Sequence, residues 1–376
     1  MSAERKSVFL SVETGNPPLR RSSGFAVSFI QRVGGYPESV RQRIPTLYER
    51  SGIDYRFSCI DDFGTTPELF EFFPQNWSLT PEPSTAARNR KYREQSVPLA
   101  EDVARRALAS SGCSAEDITH VIAVSCTGSF TPGIDIELVR RLGLRNSTSR
   151  TVIGFMGCYA AFNAMRAADA FCRSQSDARV LAVCVELCTL HFRIGETMED
   201  AVISSLFSDG AAAFVMGSMG ADEARGRLAY ARGLTALDDD SLDYMTWDIG
   251  DVGFTMGLSA RVPAVVSRLA PGLVDAMLEE HGAHRADVDF WAIHPGGRAI
   301  VDKTSEALGL TPADVEDSLE VLRNHGNMSS PTILFVLKRF FDRHHALRGS
   351  GGHGLRLGVA MGFGPGLTLE GCLLQG

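Results

Sequence analysis

Four landmarks recur in the same order in the two halves of this 376-residue chain, and that recurrence restricts its fold more than any other feature. Val97-Pro98 opens a helical pattern that leads to Asp117-Ile118 and an apolar run. Val262-Pro263 opens a helical pattern that leads to Asp287-Val288 and another apolar run. Leu142-Gly143-Leu144 precedes Cys158, and Leu308-Gly309-Leu310 precedes Asn327 by a similar interval. Self-similarity of this kind implies a duplicated structural unit. Two copies of one α/β half pack with pseudo-twofold symmetry and leave the chemistry at the seam. The expected division is residues 1–225, an N-terminal half with Cys158, and residues 226–376, a C-terminal half with His294 and Asn327. The link falls in Gly217 to Arg232, rich in Gly, Ala and charge.

Within each half, helical and strand patterns alternate. Ile118 to Ser125, Arg179 to Leu187, Ala211 to Met216 and Val288 to Ile293 are short, apolar and β-branched, as buried strands are. Val97 to Ser111 and Val262 to His281 carry apolar residues at helical spacing. From Leu355 onward the chain reads as two strands around a Gly-rich turn. This alternation predicts an α/β fold with a mostly parallel sheet and helices outside it.

Composition excludes several functions. Hydrophobic residues make up 44 % and charged residues 22 %, and the formal net charge is −8. No basic surplus points to nucleic acid, and a polyanionic ligand needs a local cationic patch to overcome the global field. Met1 to Leu10 has no apolar core of signal-peptide length, and no apolar run is long enough for a transmembrane segment. A cytoplasmic location is therefore expected. The eight cysteines are scattered and form no CxxC pair, which argues against a disulfide framework and against a metal site.

Three segments carry chemistry. In TVIGFMGCYAAFNAMRAADAF, from Thr151 to Phe171, a β-branched start gives way to Gly154, Gly157 and Cys158, then to a small-residue helix. That places Cys158 at a helix N-terminus, where unpaired amides and the macrodipole favour a thiolate; a buried structural cysteine fits this segment equally well. In FWAIHPGG, an apolar strand ends in His294 and Pro-Gly-Gly stops it. A His at the C-terminal end of a parallel strand faces the ligand side of an open α/β sheet. In HGNMSS, Asn327 precedes a helix from Pro331 to Phe341 that Ser329 or Ser330 can cap. The repeat places Asn327 opposite Cys158 across the seam. A Cys, a His and an Asn together suit acyl transfer: the thiolate attacks a thioester, the His takes its proton, and His and Asn donate to a developing oxyanion.

These residues carry a resemblance. Cys158 in GFMGCYA, His294 in HPGG, Asn327 in GNMSS and the run Gly362 to Gly366 (GFGPG) resemble the type III polyketide synthases, the chalcone synthase family, over about residues 20 to 374. The resemblance implies a thiolase-like αβαβα five-layer fold with two pseudo-repeated halves and a homodimer. It also implies an acyltransferase that needs no cofactor beyond its CoA thioester substrates, an acyl-CoA starter and malonyl-CoA. By position, Cys158 holds the acyl chain, and His294 and Asn327 drive malonyl-CoA decarboxylation. Phe207 is the gatekeeper, Ser329, Gly364 and Pro365 belong to the pocket, and Arg43 and Arg50 meet the CoA phosphates.

The chain departs from the plant members at several positions. Met256 stands at the second gatekeeper, His191 at a small hydroxylated position and Trp247 at a Gly. Thr46 stands at a third basic CoA position, and Arg298 replaces the Pro after HPGG. The pattern is closer to bacterial members, and a fatty acyl starter in a tunnel lined by the Cys158 to Phe171 helix is expected, with an alkylpyrone or alkylresorcinol as product. The alternatives are a single-condensation synthase of the ketoacyl-carrier-protein type, a type III enzyme that uses malonyl-CoA or an aromatic starter, and a non-catalytic paralogue.

Overall fold

The computed structural model describes residues 5–376, so the first four residues of the expected N-terminal half lie outside it. Among the described residues, nine strands form one sheet: β1 (Arg5–Gly15), β2 (His120–Ser125), β3 (Ser149–Gly154), β4 (Arg179–Leu187), β5 (Asp209–Gly220), β6 (Ala229–Leu237), β7 (Phe290–Ile293), β8 (Leu357–Gly364) and β9 (Thr368–Gln375). Their order across the sheet is β7-β8-β9-β6-β1-β5-β4-β2-β3.

The duplication is visible in the pairing. In the N-terminal half β2 runs parallel to β4, β4 antiparallel to β5, and β5 antiparallel to β1. In the C-terminal half β7 runs parallel to β8, β8 antiparallel to β9, and β9 antiparallel to β6. The halves meet where β1 and β6 pair through Ser7 with Tyr230 and Val8 with Ala229. The expectation of a mostly parallel sheet is therefore corrected: only β2 with β3, β2 with β4 and β7 with β8 are parallel. Tight connections such as β8 to β9 leave no room for the crossover that parallel neighbours require.

The helices that matter for the site are α1 (Ser23–Arg32), α2 (Ile44–Arg50), α3 (Thr85–Ser111), α4 (Ala160–Ser174), α5 (Met198–Leu206), α6 (Val262–Glu280), α7 (Arg298–Leu308) and α8 (Thr332–Gly349). The sheet strands alternate between two cores. On β5, Ala212, Phe214 and Met216 face a central cluster with α4 and α8, while Ala211, Ala213 and Val215 face an outer cluster with α3. On β8, Ala360 faces the central cluster, while Val359 and Met361 face an outer cluster with α6. The layers are thus α3, the first half-sheet, α4 with α8, the second half-sheet, and α6. Strands buried on both faces read as continuous apolar runs, as RVLAVCVEL does in β4.

One landmark pair is not equivalent. Val262-Pro263 does open α6, with Pro263 in the first turn, where its missing N–H costs nothing. Val97-Pro98 lies inside the 27-residue α3, which starts at Thr85 behind the Ser84 cap. The polar stretch from Thr85 to Ser96 becomes helical because Arg88, Tyr92 and Ser96 are buried by tertiary contacts. No helix among the described residues is long and apolar enough to cross a membrane.

Candidate active site

Cys158 sits in a tight turn, Gly157–Tyr159, between β3 and α4. Gly157 adopts φ +73°, and a Cβ there would stand 2.4 Å from Pro365 Cδ, so only glycine fits. Gly364 is equally constrained: a Cβ would stand 2.6 Å from the Tyr159 ring and 3.4 Å from the Cys158 amide nitrogen. The GFGPG segment therefore packs directly on the nucleophile turn. The alanines 160, 161, 164 and 168 are fully buried and let α4 approach the sheet closely.

His294 follows β7 and is anchored by its amide, which donates to the Met361 carbonyl at 2.8 Å. Its side chain is buried, and neither ring nitrogen has a hydrogen-bond partner. Asn327 follows Gly326 and is held by a short parallel bridge to Phe207. Its amide donates to the Leu206 carbonyl and its carbonyl accepts from the Ser208 amide, both at 2.9 Å. The Asn327 side chain connects the segments. Its Oδ1 lies 4.0 Å from Cys158 Sγ and accepts from the Ser329 amide at 2.8 Å. Its Nδ2 donates to the Gly296 carbonyl at 3.1 Å, two residues beyond His294. Three chain segments far apart in sequence thus converge on one point at the seam.

The protonation states differ from the sequence expectation. Cys158 precedes α4 rather than capping it, and burial pushes its thiol up to about 11, with the Glu186 carboxylate acting in the same direction. A helix terminus supplies about 0.3–1 kcal/mol at exposed sites, less than the 1.36 kcal/mol of one pKa unit, so desolvation prevails. Burial also pushes His294 down to about 3. Burial thus favours the neutral form of both groups.

A cavity enclosing about 1330 Å³ of empty space, open mouth included, reaches Cys158. Phe207, Met256, His191, Trp247, Ser329 and Pro365 all line it. His294, Asn327 and Gly364 do not line it, although Asn327 and Gly364 lie next to Cys158. The expected wall from α4 is also corrected, because that helix turns its small residues into the core. The apolar wall comes instead from Phe25, Phe29 and Ile30 of α1 together with Phe63 and Phe192. Phe63 meets both Phe29 and Phe192 edge-on, with centroids 5.2 and 5.3 Å apart. Arg43 and Arg50 lie on the exposed side of α2 and do not reach the cavity.

His191 and Trp247 are fixed rather than loose filler. His191 Nε2 donates to the Thr127 carbonyl at 2.7 Å, its Nδ1 accepts from the Phe254 amide at 2.9 Å, and Trp247 Nε1 donates to the Cys126 carbonyl at 2.7 Å. Burial holds His191 down at about 4. Two residues escaped the sequence reading. Glu186, fully buried, accepts from the Cys126 amide and from Thr127 and Ser330 hydroxyls; a charged residue at the end of the apolar run VLAVCVEL was its only signal. Arg88, 1 % exposed, donates to the Phe192 carbonyl at 3.0 Å and pairs with Glu82 at 3.1 Å, which steadies the His191–Phe192 wall. Nothing in its sequence neighbourhood announces that role. Among the described residues no cluster of three or more metal-ligating side chains gathers.

Comparison with known proteins agrees with this architecture. The family signature of the chalcone and stilbene synthases, N-terminal domain, spans residues 21–220, and that of their C-terminal domain spans residues 238–376. The chain is 35 % identical over 339 residues to the alpha-pyrone synthesis polyketide synthase-like Pks18 of Mycobacterium tuberculosis, covering 89 % of this chain and 82 % of that protein. It is 32 % identical over 291 residues to the 3,5-dihydroxyphenylacetyl-CoA synthase of Streptomyces toyocaensis, covering 76 % and 73 %. Among solved structures, PKS-I from the brown alga Ectocarpus siliculosus superposes with a TM-score of 0.95 at 36 % identity over 99 % of this chain and 98 % of that one. The C-terminal type III polyketide synthase domain of Steely1 from Dictyostelium superposes at 0.86 with 26 % identity, over 98 % and 99 %. The five-layer arrangement, the convergence of Cys158 with Asn327 and these similarities lead to one conclusion: the chain belongs to the chalcone and stilbene synthase family and is a type III polyketide synthase, an acyltransferase with a thiolase-like fold that catalyses decarboxylative condensation.

Proposed function

We propose that this enzyme loads a medium- or long-chain fatty acyl group from CoA onto Cys158, extends it with malonyl-CoA and cyclises the product to an alkylpyrone or alkylresorcinol. The observation that carries the reading is the cavity that starts at Cys158 and is walled by Phe25, Phe29, Ile30, Phe63 and Phe192. Similarity to an alpha-pyrone synthase-like protein supports the product class. In loading, Cys158 gives its proton to His294, and the thiolate attacks the starter thioester as CoA leaves. In extension, malonyl-CoA loses CO2, and the enolate oxygen is stabilised by donors from His294 and Asn327. The enolate carbon then attacks the acyl thioester on Cys158, the bond to Sγ breaks to release the Cys158 thiolate, and the lengthened chain is left on CoA. The enzyme needs no cofactor beyond these thioesters. Arg43 and Arg50 hold the CoA phosphates.

The working form is a homodimer. Strand β3 is an edge of the sheet, and Val152 on it and Phe155 after it are 64 % and 42 % exposed. An uncovered apolar edge strand is a template for a second copy. Intact-protein mass spectrometry tests the loading step: an acyl-CoA starter should add one acyl group at Cys158, and Cys158→Ala should abolish it. Acylation at Cys126 or Cys188, both of which line the cavity, would refute the assignment.

A further inference from the structure

The α2 positions read as CoA contacts carry two cations, Arg43 and Arg50, and the structure brings a third close to them from a different segment. Arg43 and Arg50 are two helical turns apart and share the exposed side of α2, and Thr46 between them is uncharged. Two residues past Arg50, Gly52 adopts φ +69°, and the Arg298 side chain lies across it. A Cβ on Gly52 would stand 3.2 Å from Arg298 Cδ and 3.7 Å from its Nη1. Arg298 therefore lies beside the end of α2 that carries Arg50.

The loop that carries Arg298 also builds the active site. Gly296 accepts from Asn327, and Gly297 lies within 3.4 Å, measured from its Cβ position, of Leu206, the neighbour of Phe207 in the cavity wall. One end of this loop is thus at Asn327 and the other at the end of α2. The fold itself gives Arg298 little reason to be cationic. It opens α7, whose first turn has no acidic residue and no side-chain cap, and a positive charge at a helix N-terminus is unfavourable. Among the described residues its ion-pair partner is Asp302 at 3.4 Å, with both side chains half exposed, a weak kind of pair.

We propose that Arg298 is a third cation of the CoA phosphate site and replaces the charge that Thr46 does not provide. The inference rests on the reading of Arg43 and Arg50 as CoA positions. It assigns Arg298 to substrate binding and not to the chemical step.

The test compares kcat/KM for malonyl-CoA with that for malonyl-pantetheine, which carries the same thioester without the nucleotide phosphates. In Arg298→Gln the preference for the CoA ester should fall about five- to tenfold, the loss of one charge-assisted contact, and its dependence on salt should weaken. In Asp302→Asn, which frees the guanidinium, the preference should rise. If Arg298 serves only its helix, both variants will lower the melting temperature alike and leave the preference unchanged, and the proposal is overturned. A wild type with no preference for the CoA ester would defeat the CoA reading of the α2 face first. A preference lost in Arg43→Gln and Arg50→Gln but kept in Arg298→Gln would defeat this inference alone.

Discussion

At the scale of single residues, the chemistry depends on how a buried thiol becomes a thiolate. With His294 neutral, burial holds the Cys158 thiol near about 11. A proton moved to His294 creates an imidazolium beside it, and an opposite charge favours the charged form. Removing His294 removes the group proposed to accept the thiol proton. In His294→Ala, the pH profile of Cys158 acylation by an acyl-CoA starter should lie about 10²–10⁴-fold below that of the wild type near pH 7, because no base takes the thiol proton. Identical profiles would show that His294 does not activate the thiol. Asn327→Ala should lower CO2 release from malonyl-CoA by about 10²–10³ and spare starter loading; wild-type release would dismiss its role as an oxyanion donor. The meeting of Cys158 and Asn327 was legible, because the repeat put both at equivalent places. The raised thiol pKa was not, because Glu186 and the surrounding apolar wall arrive from distant strands.

At the scale of elements, specificity lies in how α1 and the Phe63 turn close the cavity. Phe29, Phe63 and Phe192 interlock edge-on, a packing that fixes rigid rings. Phe63→Ala should open this end and move the best starter towards longer chains, each added buried methylene contributing about 0.8 kcal/mol, or roughly fourfold in kcat/KM. Substitutions within α4 should leave the optimum in place. An unchanged chain-length profile in Phe63→Ala would put the acyl tail elsewhere. Sequence periodicity marked α4 as a helix near the nucleophile but not which face it buries; Ala160, Ala161 and Ala164 pack into the core and not into the cavity. The α1 wall could not be read, because its residues are brought to the site only by tertiary packing.

At the scale of the whole molecule, the duplicated topology explains both the site and part of the pH response. Strand order repeats across the β1–β6 seam, and where the N-terminal half has β3 the C-terminal half has the isolated bridge of Asn327 to Phe207. The repeat was legible from landmarks, whereas the mixed strand directions were not, since an apolar run has no direction. Burial also lowers His191, His294 and His325 to about 4, 3 and 4. The unfolded chain binds protons at these histidines near pH 6.5 and the folded chain does not, so stability falls as pH drops from about 6.5 to about 4, by up to about 1.4 kcal/mol per pH unit for each. The melting temperature should decline through that window, and less steeply in His191→Gln; equal slopes would mean that His191 is already protonated in the fold. Val152→Lys should convert the dimer to a monomer by light scattering, and a monomeric wild type would remove the dimer from the account.

The proposed reaction is decarboxylative condensation, by this chain alone, from a fatty starter held in the cavity. Its most direct test is steady-state kinetics with product mass spectrometry, using purified protein, malonyl-CoA and acyl-CoA starters from C6 to C18. Malonyl-CoA should be consumed without a carrier protein, the products should be alkylpyrones or alkylresorcinols, and kcat/KM should rise with chain length until the cavity is full. Flat or falling kcat/KM with length, together with efficient turnover of malonyl-CoA alone, would contradict it.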